Sequence, residues 1–168
     1  MNFNPKLIDF FKRHNLYDKE MFDYFSLNSS MIDYRYEEQR DFIGCFWKFK
    51  NNVLVKFHLV LPYVYNDITM LISIHEIVHG ILAYKKLNKK FNLDLDCESL
   101  PMLYEKIYIN EVNTPEIIKY GNFLDSLISE KKEQYIFGLN IRDILFENYN
   151  YNIDDMEKMA KKLVKKYK

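Results

Sequence analysis

The hydrophobic pattern of this chain changes period at Pro62, and that change limits its possible folds more than any other feature. Upstream, Ile43, Cys45, Trp47 and Phe49 alternate with Phe42, Gly44, Phe46 and Lys48. Val53, Val55, Phe57, Leu59 and Leu61 then alternate with Leu54, Lys56, His58 and Val60. A repeat of two is the mark of a strand that turns one face to a core. Asn51-Asn52 separates the runs, and asparagine tolerates the positive φ that a two-residue hairpin turn requires. Pro62 has no N–H to give a ladder and closes the second strand. Downstream, Ile68, Leu71, Ile72, His75, His79 and Leu82 recur at steps of three and four. They predict an amphipathic helix from Asn66 or Asp67, either residue capping, to about Leu87.

Helical spacing dominates elsewhere. Pro5 to His14 brings Leu7, Ile8, Phe10 and Phe11 to one side, and Asp18 to Leu27 does the same with Met21, Phe22 and Phe25. A helix follows from about Cys97 to Glu111. Thr114-Pro115-Glu116 then combines a cap, a proline in the first turn and an acid at the positive end of the dipole, which starts a helix reaching Ser129. Two more are predicted, from about Glu133 to Tyr149 and from near Asp154 onward. The expected class is α+β: one mostly helical domain over 1–168, with a small antiparallel hairpin or sheet just before the central helix.

Composition excludes several functions. No window approaches the ~18 uninterrupted apolar residues of a membrane span, and the N-terminus lacks the plan of a secretory signal. Lys+Arg and Asp+Glu are both 24, so no overall field favours nucleic acid. Two cysteines, Cys45 and Cys97, are too few for a disulfide scaffold, and a reducing, cytoplasmic setting is expected.

The central helix carries His75-Glu76-Ile77-Val78-His79, an H-E-x-x-H pattern. Residues four apart lie one above the other on a helix face, so both imidazoles can reach one ion at the ~2.0–2.1 Å of a Zn–N bond. Glu76 lies beside that line, placed to accept a proton from a water activated by the metal. A catalytic zinc needs a third protein ligand and one open position. No histidine follows His79, so a carboxylate must serve, and Asp94, Asp96, Glu98, Glu105 and Glu111 are the candidates. Glu98 opens the next predicted helix, and Glu105 lies two turns further on the same face.

His75 to Gly80, followed by Asp96-Cys97-Glu98-Ser99-Leu100-Pro101-Met102-Leu103-Tyr104-Glu105, resembles the zinc site of the thimet oligopeptidase and oligoendopeptidase F group of gluzincins. The resemblance implies a zincin-like fold, Glu98 as third ligand and Glu105 as the trailing acid. Here the gap is shorter and Pro101 is displaced by one position. Gln134-Tyr135-Ile136-Phe137-Gly138 is a weaker likeness to that group's Tyr-containing segment near the site. The good match covers about residues 75–105, and over 1–168 no counterpart is expected of the large helical domain that closes over those enzymes.

Amide hydrolysis also needs a donor for the tetrahedral oxyanion. Tyr135 is the first choice for that role, ahead of Tyr149, Tyr151 and His58. Otherwise His58 reads as a solvated strand residue, His14 as a helix-end residue and Cys97 as a buried, inert thiol. The lysines at 161, 162, 165, 166 and 168 read as a solvated helix face. The expected function is a zinc-dependent metalloendopeptidase, with Zn2+ on His75, His79 and Glu98, Glu76 as general base and a peptide or protein as substrate. Two rivals remain: a regulatory protease resembling the ImmA/IrrE group and acting on one protein target, and a non-catalytic binding or structural domain in which the motif is coincidental or holds a structural metal closed by Cys97 together with Glu98.

Overall fold

The structure is a computed structural model that describes residues 3–34, 43–88, 98–129, 133–148, 155, 156, 158–160, 162 and 163, with backbone alone at 128, 129 and 133–137. It divides into two compact units, Met1–Leu95 and Asp96–Lys168. The α+β character is as expected: helices predominate, with one small sheet before the central helix. No helix among the described residues is long and apolar enough to cross a membrane.

The first unit opens with α1 (Pro5–Arg13) and α2 (Lys19–Leu27), capped by the side chains of Asn4 and Asp18. Their apolar sides meet ring on ring: Phe22 of α2 lies 5.6 Å from Phe11 of α1, centroid to centroid. Three strands follow, β1 (Ser29–Ile32), β2 (Gly44–Lys50) and β3 (Val53–Pro62), in the order β1-β3-β2. β2 and β3 form the predicted hairpin, and Asn51 and Asn52 at φ 50° and 59° have the two positive values that its turn demands.

The sheet departs from expectation in two ways. It is mixed rather than antiparallel, because β1 pairs with β3 in parallel, Ser29 opposite Leu59 through Ile32 opposite Pro62. Pro62 therefore ends a central strand, and the N–H of Tyr63 takes up the bonding, 3.0 Å from the carbonyl of Ile32. The alternation of β3 also breaks. Lys48 pairs with Lys56 but Phe49 pairs with Leu54, leaving Val55 as the extra residue of a bulge. Beyond the bulge Phe57, Leu59 and Leu61 are buried as expected, but before it Leu54 is buried while Val53 and Val55 are exposed.

α3 (Asp67–Leu87) begins at a reciprocal cap. The Asn66 side chain accepts from the N–H of Thr69 at 2.9 Å, and the Thr69 hydroxyl accepts from the N–H of Asn66 at 3.2 Å. The helix lies on β3 and β2, and Gly80 lets it come close. A Cβ at that position would stand 3.0 Å and 3.1 Å from the two δ-carbons of Leu59, itself fully buried.

The second unit contains α4 (Ser99–Val112), α5 (Pro115–Ser129) and α6 (Glu133–Phe146). Asn113 at φ 51° ends α4 in the left-handed region that asparagine tolerates. Arg142 on α6 grips Asp125 on α5 through two bonds of 2.6 Å and 3.0 Å. Asp143 accepts from Lys106 on α4 at 2.6 Å. Burial opposes ionisation of Asp143, but Lys106 and Arg142 outweigh it and hold the carboxyl below its usual range. The described residues from 155 to 163 are helical, as predicted from the apolar stripe there.

Replacing Gly80 tests the helix–sheet contact. Gly80→Val should cost about 1–3 kcal/mol by overpacking, read as a lower urea midpoint with unchanged slope. An unchanged midpoint would mean that α3 does not bear on Leu59 as described.

Candidate metal centre

α3 was expected to be amphipathic, but its middle is buried on every side. From Thr69 to Ala83 each residue is buried except His75 and Glu76, which are half-buried. The periodicity of the chain could not show this, because Thr69, Ser73 and Gly80 look polar or neutral in sequence and are all buried. The single break in burial therefore falls on the first two residues of the H-E-x-x-H pattern.

His75 and His79 point their rings at one place. Their Nε2 atoms stand 3.2 Å apart, with ring centroids 4.9 Å apart and planes inclined at 64°. Two Zn–N bonds at a tetrahedral angle put their nitrogens ~3.3 Å apart. The imidazole pair thus fits a shared divalent ion without moving a turn of helix. The same separation suits a single N–H···N bond, for which one ring must carry its proton on Nε2.

Within the first unit, β2 supplies part of these surroundings. Cys45 and Trp47 lie on the strand face that meets α3. The Trp47 ring meets that of His79 edge to face at 6.2 Å, and its Nε1 donates to Cys45 Sγ at 3.1 Å. Glu76 turns toward the start of the same strand, where its Oε2 lies 3.9 Å from the point a Gly44 Cβ would occupy. Burial pushes the Cys45 thiol up to about 12, with the Trp47 hydrogen bond working against the shift and the Glu76 charge adding to it. Neither Trp47 nor Gly44 was singled out from the sequence. Their signal was present in the strand alternation, which placed Trp47 beside Cys45, but nothing local said which helix residue that face would meet.

The remaining candidates fall in several places. Glu98 belongs to the second unit, at the residue before α4, half-buried and with backbone angles already helical. Its side chain makes no capping bond to the helix it precedes. Pro101 sits in the first turn of that helix, where its missing N–H costs nothing. Gly138 on α6 meets this turn, its Cβ position 3.5 Å from the Cβ of Glu98 and 3.6 Å from Met102 Sδ. Glu105 is half-buried on α4 and Glu111 exposed near its end. Tyr135 lies on α6, three residues before Gly138, with its side chain outside the described residues. Asp94, Asp96, Cys97, Tyr149 and Tyr151 also lie outside them.

His58 is on the face of β3 away from α3, paired in register with Phe46 and bonded to Ser30 Oγ at 3.1 Å. It lies on the strand face opposite the one that carries Phe57 and Leu59, which agrees with its reading as a strand residue. His14 caps the end of α1, its ring 4.6 Å from that of Phe10. Compared with protein-family models, with curated proteins and with solved structures, the chain matches none.

The Cys45 environment makes a checkable prediction in a Cys97→Ser background, where Cys45 is the one remaining thiol. A pKa raised from 9.0 to about 12 lowers the thiolate fraction at neutral pH about a thousandfold. Alkylation by iodoacetamide should be slower than in the urea-unfolded chain by about that factor. Because the native state holds this proton where the unfolded chain releases it, stability should also decline as pH rises from 9.0 toward about 12. Equal alkylation rates in the two states would contradict the burial of this thiol beside Glu76.

Proposed function

We propose that the chain is a zinc-dependent metallopeptidase of gluzincin type, in a zincin-like fold, held by His75, His79 and Glu98 and acting on peptide or protein substrates. The observation that carries the reading is the pairing of two Nε2 atoms at 3.2 Å at the one break in the burial of α3. Two imidazoles buried for packing alone would each leave a polar ring to be satisfied. A shared cation satisfies both at once. The third ligand is assigned to Glu98 on its likeness to the gluzincin pattern, with Glu105 as its trailing acid.

When bound, the ion supplies Lewis acidity, lowering the pKa of water and polarising a carbonyl. Glu76 does the proton work: half-buried and one residue past the first ligand, it takes a proton from the attacking water and returns it to the leaving amine. His75 and His79 would hold the ion through the two Nε2 atoms that face each other. Trp47 fixes the plane of the His79 ring by edge contact. β2 is the edge strand beside this place among the described residues, so an extended substrate can lie along it with main-chain bonds providing affinity. Tyr135 is proposed as oxyanion donor from its segment's likeness to the gluzincin one. The setting is proposed to be cytoplasmic, on the cysteine count.

Glu76→Gln separates chemistry from metal binding. The variant should keep the zinc content of the wild type while hydrolysis of a quenched fluorescent peptide falls ~10²–10⁴-fold. A Glu76→Gln protein as active as the wild type would overturn the proposal.

A further inference from the structure

The hairpin carries a positive charge that no ion pair balances among the described residues. Lys48, Lys50 and Lys56 lie between residues 43 and 66, a stretch without a single acid, in a chain whose formal net charge is +0. All three are exposed, and none has an acidic partner among the described residues. Lys48 and Lys56 stand directly opposite each other across the hairpin. Like charges so placed oppose strand pairing.

Lysine on an edge strand often guards against unwanted pairing. That purpose does not explain Lys56, which belongs to β3, the central strand. It also sits badly with the rings on β2, since Phe46 and Phe49 are 48% and 47% exposed on the strand that would need guarding. By alternation, Phe46, Lys48 and Lys50 share the face of β2 turned away from α3, whereas Cys45, Trp47 and Phe49 share the other.

We infer that the outer edge of β2, which pairs with no further strand among the described residues, receives an extended acidic peptide segment whose side chains run acidic, apolar, acidic. A strand added there places alternate side chains ~5 Å from their cross-strand neighbours. The acids fall beside Lys48 and Lys50, with Lys56 one strand further in and within reach of the same charges. The intervening apolar residue falls on the Trp47 and Phe49 side. An acid there relieves the repulsion between Lys48 and Lys56, so occupancy and hairpin stability rise together. The inference takes from the metallopeptidase reading only the choice of a peptide as ligand.

The test uses the full chain bearing Glu76→Gln, to prevent cleavage, and three fluorescein-labelled peptides alternating valine with glutamate, glutamine or lysine. The glutamate peptide should bind about tenfold more tightly than the glutamine one at low salt, and the margin should shrink as salt is added. Lys48→Glu with Lys50→Glu should reverse the order in favour of the lysine peptide. Lys48→Gln with Lys50→Gln should abolish the preference without reversing it, which guards against a misfolded charge-reversed protein. Equal binding of the glutamate and glutamine peptides would overturn the inference, as would a preference unmoved by either double variant. Tighter binding to phosphatidylserine vesicles or to a single-stranded oligonucleotide than to the glutamate peptide would overturn it too. Failure of the metallopeptidase reading looks different: glutamate-selective binding persists, yet the wild type never cleaves the bound peptide.

Discussion

The approach of α3 to the sheet is the contact on which the first unit depends. Gly80 removes the one side chain that would hold the helix off Leu59. With the helix that close, Ile74, Ile77 and Ile81 are fully or almost fully buried, each contributing about 2 kcal/mol. The same closeness brings His79 to the edge of Trp47 and turns Glu76 to the start of β2. Packing and the candidate metal ligands thus share one helix, and the residues facing the sheet fix the rotation that leaves His75 and Glu76 half-buried.

Burying imidazoles in such a place is costly unless their nitrogens are engaged. His75 and His79 engage each other across 3.2 Å, a geometry that serves a proton or a cation equally well. A metal on this pair would add what a proton does not: in the proposed reading His75 and His79 would hold it, and it would supply the Lewis acidity that Glu76 needs for proton transfer. Trp47, bonded to Cys45 Sγ, sets its ring edge to face against that of His79. The candidate centre is in this sense built from a helix and an edge strand, not from the H-E-x-x-H pattern alone.

Much of this was legible in the residues. The hairpin with its Asn51-Asn52 turn, the Asn66 cap, the Thr114-Pro115 start of α5 and the helical spacing of the two imidazoles all come from local rules that tertiary context did not override. What escaped was set by partners distant in sequence. β1 is four residues, Ser29–Ile32, too short to show a period, and its parallel pairing with β3 has no local signal. The bulge at Val55 reversed the alternation, since a single extra residue exchanges faces. The burial of α3 on all sides depends on what surrounds it, which its own sequence does not record. The role of Gly44 beside Glu76 was likewise invisible, because a glycine announces room and not its occupant.

The central claim is that His75 and His79 ligate one zinc ion together with carboxylate or water oxygen. X-ray absorption at the zinc edge of the purified, zinc-loaded wild-type chain reads this directly. The account predicts one zinc per chain, with two imidazole nitrogens at ~2.0–2.1 Å, oxygen neighbours completing the shell and no sulfur at ~2.3 Å. A sulfur shell, a single imidazole, or a chain that holds no zinc would contradict it.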